Sequence, residues 1–160
     1  MRRFTPVELA IGVALAGSLA AVAIPAFVRE LHASRLVEPT DGLARIGVAA
    51  VAYAEQHGRF PDSVGLTPAV PPRGTKEADP PGTWDAPTWS ALGFRPVPEG
   101  VPHAYAFSFE APKPNEGFAA QARGDLDGDG LLSTFEIRGT IRPGEKPQVV
   151  PGMYVEAELE

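Results

Sequence analysis

Glu8-Leu9-Ala10-Ile11-Gly12-Val13-Ala14-Leu15-Ala16-Gly17-Ser18-Leu19-Ala20-Ala21-Val22-Ala23-Ile24-Pro25-Ala26-Phe27-Val28-Arg29 is the stretch on which the reading of this chain turns. Between Glu8 and Arg29 no residue carries a charge. As a helix, a run of that length spans about 30 Å, the thickness of a bilayer's hydrocarbon core. A cleaved secretory signal has cationic residues first and a shorter apolar region of about 7–15 residues. Arg2 and Arg3 fit that order and Ala21-Val22-Ala23 could pass for a cleavage site, but the apolar run is too long and continues past Ile24-Pro25. The run therefore predicts a transmembrane helix. Arg2 and Arg3 hold the N-terminus on the cytoplasmic side, so the bulk of the chain is exported. Gly12, Ala16 and Ala20 recur every four residues, a spacing that lets helices approach closely. Pro25 removes a backbone donor and predicts a kink.

Glu8 is the oddity of this segment. A carboxylate entering a membrane helix is costly, so either it snorkels at the helix start or its charge is neutralised by a partner. A chain cut before Phe4 would bring a free amine within one helical turn of it.

Phe4-Thr5-Pro6-Val7-Glu8-Leu9 resembles the prepilin cleavage motif, in which Phe begins the mature chain and Glu stands fifth. Ala23-Ile24-Pro25-Ala26-Phe27 is similar to the Ile-Pro-x-aromatic break of type IV pilins, and Tyr53-Ala54-Glu55-Gln56-His57-Gly58-Arg59-Phe60-Pro61 resembles the end of their long helix. These matches cover residues 1–61 in the expected order. The resemblance to the type IV pilin and pseudopilin family implies several things. The parts are a short leader (1–3), a transmembrane or filament-core helix (4–28) and an amphipathic helix (29–58) running into an exported domain (59–160). The partners are other pilin subunits, a prepilin peptidase and the inner membrane. The processing and assembly residues are Arg3, Phe4 and Glu8. One departure stands out: the family places Gly, sometimes Ala, before the Phe, and here that position is Arg3. Arg3 favours an alternative, an uncut, singly anchored periplasmic domain that binds calcium or a partner and does not polymerise.

Beyond Arg29, Leu43, Ile46, Ala50, Tyr53 and Ala54 fall at helical spacing and predict a buried helix face. Pro39-Thr40-Asp41-Gly42 predicts a kink or break within it. Gly58 suits the helix C-terminus, beside His57 and Arg59. Residues 61–87 hold prolines at 61, 68, 71, 72, 80, 81 and 87 and no apolar periodicity, which reads as a long loop. Thr88-Trp89-Ser90-Ala91-Leu92-Gly93-Phe94 reads as one helical turn ended by glycine, with Trp89, Leu92 and Phe94 in the core. Strands are expected at about 103–109, 117–123, 134–141 and 148–157. The fold class is thus α+β: a long N-terminal helix, kinked and transmembrane in its first half, packed on a small antiparallel sheet of about four strands.

One motif carries chemistry. In Asp125-Leu126-Asp127-Gly128-Asp129-Gly130-Leu131-Leu132-Ser133-Thr134-Phe135-Glu136, acidic oxygens stand at positions 1, 3, 5 and 12, glycine at 6 and serine at 9. Leu131 at position 7 can offer its carbonyl, so the stretch resembles an EF-hand loop at all its ligand positions. Oxygen donors of this number suit Ca²⁺ in a structural role. The candidate ligands are Asp125, Asp127, Asp129, Leu131, Ser133 and Glu136. The flanks do not read as helices, because Phe135 and Ile137 alternate with Glu136 and Arg138 at strand periodicity, and a bare acidic hairpin turn fits the same residues.

Composition narrows the remaining classes. The net charge of −6 gives no basic footprint for nucleic acid. With no cysteine, thiolate metal sites and cysteine nucleophiles are excluded. His32, His57 and His103 stand outside any catalytic motif, and neither a nucleophile elbow nor a phosphate-binding glycine loop occurs, so no enzymatic activity is expected.

Overall fold

The computed structural model describes residues 5–157, and of residues 28–34 the backbone alone. Arg3 and Phe4, the expected cleavage residues, lie outside the described residues. The chain divides at Leu36/Val37 into two units.

The first unit is helical. Helix α1 is assigned from Pro6 to His57 and so enters both units. Its start is capped by side chains. The Thr5 N–H and hydroxyl donate to Glu8 Oε2 at 2.8 and 3.0 Å, and the Glu8 N–H donates to Thr5 Oγ1 at 3.3 Å. This is the reciprocal capping box of a Thr-x-x-Glu sequence, and Pro6 occupies the first helical position, where no N–H is needed. From Pro6 to Phe27 the helix is long and apolar enough to cross a membrane, and none of its side chains is buried in the protein.

The second unit is a helix laid on a sheet. The expected break at Pro39-Thr40-Asp41-Gly42 does not occur; the helix runs through it. Tertiary contacts override the local preference here. Pro39 is fully buried, Glu38 Oε1 accepts the N–H groups of Ala104 and Tyr105 at 2.9 Å each, and Gly42 sits on the Phe107 ring. Leu43, Ile46, Ala50 and Ala54 are buried as their spacing predicts, and Tyr53 is half-buried. Gly58, at φ +71°, ends the helix with its N–H on the Ala54 carbonyl.

The sheet is antiparallel throughout, in the order β1 (Val64–Thr67), β2 (Tyr105–Glu110), β3 (Gly117–Gly124), β4 (Ser133–Thr140), β5 (Gln148–Val149), with β6 (Tyr154–Glu156) also paired to β4. Among the described residues it has six strands rather than about four, for two reasons. The proline-rich segment contributes β1, and the expected strand at 148–157 is divided by Pro151-Gly152. Cross-strand rows Phe107–Ala122–Phe135 and Phe109–Ala120–Ile137 face α1, where Gly42 meets Phe107 and Gly47 meets Ile137. Alternating large residues on β2 and β4 with alanine on β3 leaves room for the helix. Helix α2 (Pro87–Leu92) ends at Gly93 in the left-handed region, and Trp89, Leu92 and Phe94 are buried as expected. Trp84, Trp89, Phe94 and Phe107 form a ring cluster with centroids 5.2–6.3 Å apart.

Candidate metal-binding loop

The loop of residues 125–132 joins β3 to β4. Its aspartates fold it back on itself through local hydrogen bonds. Asp125 Oδ1 accepts the Gly128 N–H at 2.8 Å, Asp127 Oδ1 accepts that of Asp129 at 3.1 Å, and Asp129 Oδ1 accepts that of Leu131 at 2.7 Å. Gly128 and Gly130 take φ of +84° and +95°, which only glycine adopts freely. Three carboxylates result with one oxygen each inside 4.8 Å of the others: Asp125, buried, and Asp127 and Asp129, exposed.

Asp125 is the anchor of the group. Only 2% of it is exposed, and its Oδ2 is buried without a hydrogen bond, 3.7 Å from Arg73 Nε. Arg73 and Gly74 come from the proline-rich segment. Gly74 donates its N–H to the Asp125 carbonyl at 2.8 Å and lies against Asp127 and Gly128, where a Cβ would come within 3.3 Å of the Asp127 carbonyl oxygen. Neither residue is recognisable as part of the site from sequence, since nothing in the spacing ties position 73 to position 125.

Three of the six expected ligands therefore come together. Leu131 follows in the loop with an exposed side chain, its N–H on Asp129. Ser133 is fully buried at the start of β4 and donates its hydroxyl to the Gly124 carbonyl at 3.1 Å. Glu136 is held further along the same β3–β4 pair: Gln121 Nε2 donates to its Oε2 at 2.6 Å and Arg138 Nε to its Oε1 at 2.6 Å. The cause is the extended chain. A strand advances about 3.3 Å per residue, so position 12 recedes from the loop instead of curling over it as on a helix. Burial pushes the Glu136 carboxyl up, but the hydrogen bonds from Gln121 and Arg138 and the charges of Arg138 and Arg123 outweigh it and hold the group below the ordinary carboxylate value.

Chemically, three close carboxylates, one with an orphaned buried oxygen, are a donor set that could hold a hard metal ion. The guanidinium of Arg73 supplies part of the missing positive charge. Comparison of this chain with models of known families, with curated proteins and with solved structures finds no match.

Proposed function

We propose that the chain is a membrane-anchored subunit of a type IV pilus-like or secretion pseudopilus-like filament, with a calcium ion at the β3–β4 loop stabilising its exported domain. The observation that carries this reading is the uncharged run Leu9–Val28 in a helix opened by Thr5 and Glu8, followed by a helix whose next segment packs on an antiparallel sheet. In this reading the N-terminus is cytoplasmic, the helix passes the inner membrane once with a kink at Pro25, and residues 59–160 lie in the periplasm or on the filament. The apolar helix packs against those of neighbouring subunits. Glu8, once an amine forms at Phe4, draws the subunit into register through an attraction strengthened by the low dielectric. Asp125, Asp127 and Asp129 hold the calcium, joined by the Leu131 carbonyl. Ser133 and Glu136 would join only by leaving their present partners. No catalytic role is assigned.

Arg3 favours a second reading, the uncut, singly anchored domain. The mass of the N-terminal peptide taken from native membranes separates the two. A peptide beginning at Phe4, in protein that co-sediments with filaments, supports the subunit. A peptide beginning at Met1, with no filament association, leaves the anchored domain.

A further inference from the structure

His103 is buried to 1% exposure just ahead of β2, and both its ring nitrogens face acceptors. Nδ1 lies 2.9 Å from the Tyr105 carbonyl oxygen and Nε2 lies 2.6 Å from Asp79 Oδ2. A carbonyl never donates. Asp79 Oδ2 also accepts the indole N–H of Trp84 at 2.6 Å, so that oxygen is occupied as an acceptor twice over. A neutral imidazole has one N–H and one lone pair and would set that lone pair against one of these oxygens. The imidazolium, with two N–H groups, satisfies both, and pairs with the carboxylate in a charge-assisted bond.

The groups around it favour the same state. On α1, Glu38 Oε1 lies 3.9 Å from His103 Nδ1 while accepting the Ala104 and Tyr105 N–H groups. Lys76 Nζ stands 3.9 Å from Glu38 Oε2 and is largely exposed. Arg95 and Glu99 line the same small cavity as Asp79 and His103, and are paired with each other at 3.2 Å. Two carboxylates thus face the ring directly; Glu38 is shared with the exposed Lys76, while Arg95 pairs with Glu99 and Asp85.

The position of His103 gives that proton a mechanical consequence. Glu77 and His103 exchange backbone hydrogen bonds of 3.0 Å in both directions, and Asp79 and Trp84 belong to the same proline-rich segment. We propose that His103 is a protonation-dependent latch: as an imidazolium it fastens residues 77–84 to the start of β2, and on losing its proton it releases them. The fastening weakens as the ring gives up its proton to rising pH.

The test uses the full chain in detergent micelles with His32→Gln and His57→Gln, so that His103 is the remaining histidine. Nitrogen-15 NMR is expected to show protons on both ring nitrogens wherever the segment is closed. Hydrogen exchange is expected to show the protection of the Glu77 and His103 amides falling with rising pH, by up to about tenfold per unit where opening releases one proton, with the Ala120 and Ala122 amides unchanged. Asp79→Asn is expected to abolish that pH dependence. A ring with a single N–H in the closed state, Glu77 protection independent of pH, or an unchanged slope in Asp79→Asn would each overturn the latch.

Discussion

Gly42 shows how a single missing methyl sets the approach of helix to sheet. A Cβ at this position would lie 2.5 Å from two carbons of the Phe107 ring, which is itself fully buried and packed between Trp84 and Phe94. The ring has nowhere to turn. Gly42→Ala is expected to destabilise the protein by about 1–3 kcal/mol, the usual cost of forcing extra volume into a packed core, and to lower the melting temperature by several degrees. Thermal melts of the two proteins in the same detergent check this, and an unchanged midpoint would mean that helix and sheet separate easily. Glu136 answers to pH instead. Because its carboxyl is held below the ordinary value of 4.5, it contributes stability that is present above that value and lost as pH falls through the folded one. Glu136→Gln is expected to flatten the acid limb of the stability–pH curve below about pH 4.5 while leaving the curve above it parallel to the original, as followed by chemical denaturation across pH. At Glu8 the expectation concerns assembly: Glu8→Leu should insert at least as well but enter filaments less, and incorporation equal to wild type, measured in sheared filament fractions, would reduce Glu8 to its capping role.

At the scale of elements, the β3–β4 loop carries the metal prediction. Millimolar Ca²⁺ is expected to raise the melting temperature of the protein, reversibly with chelator. At ten times the dissociation constant, mass action adds about 1.4 kcal/mol. Asp127→Ala should abolish the shift, and Glu136→Ala should leave most of it, since Glu136 is bonded to Gln121 and Arg138. A calcium-independent melting temperature would leave an acidic turn pinned by Arg73. The elements also show where the sequence was readable. Strands β2 and β4 announce themselves through Phe107, Phe109, Phe135 and Ile137 at period two, and α2 through the Gly93 stop. The buried face of α1 is equally plain in Leu43, Ile46, Ala50 and Ala54. By contrast, β1 hides among prolines because its pairing partner, Phe107–Phe109, is some forty residues away in the chain. Pro39 and Gly42 look like a helix break because local preference cannot register a Phe107 ring waiting opposite. The three aspartates of the loop are legible because their spacing is local, whereas Arg73, Gly74 and the surroundings of His103 are products of long-range folding.

For the molecule as a whole, the exposed apolar helix from Pro6 to Phe27 dominates behaviour in water. The full-length protein is expected in the membrane fraction, released by detergent and not by salt or alkali. Recovery in the soluble fraction, without detergent and without filaments, would remove the anchor. Processing is tested at the same scale: if Arg3 hinders a peptidase that prefers a small residue, Arg3→Gly should be cut faster and assemble more, and pulse-chase mass shifts of the N-terminal peptide would report it.

The far edge of β4 has a bearing on how copies of this protein can meet. A long, flat, unpaired strand invites a neighbouring chain to add its own strand and to go on adding, the route by which sheets grow into ribbons. Here that ledge is closed off twice, by β5 on Gly139 and Thr140 and by β6 on Thr134, Phe135 and Glu136, with Val150 reaching the Arg138 carbonyl between them. Pro151 and Gly152 keep the two covers short and staggered. In the filament reading proposed above, such a guard favours contacts through helices over strand addition to β4.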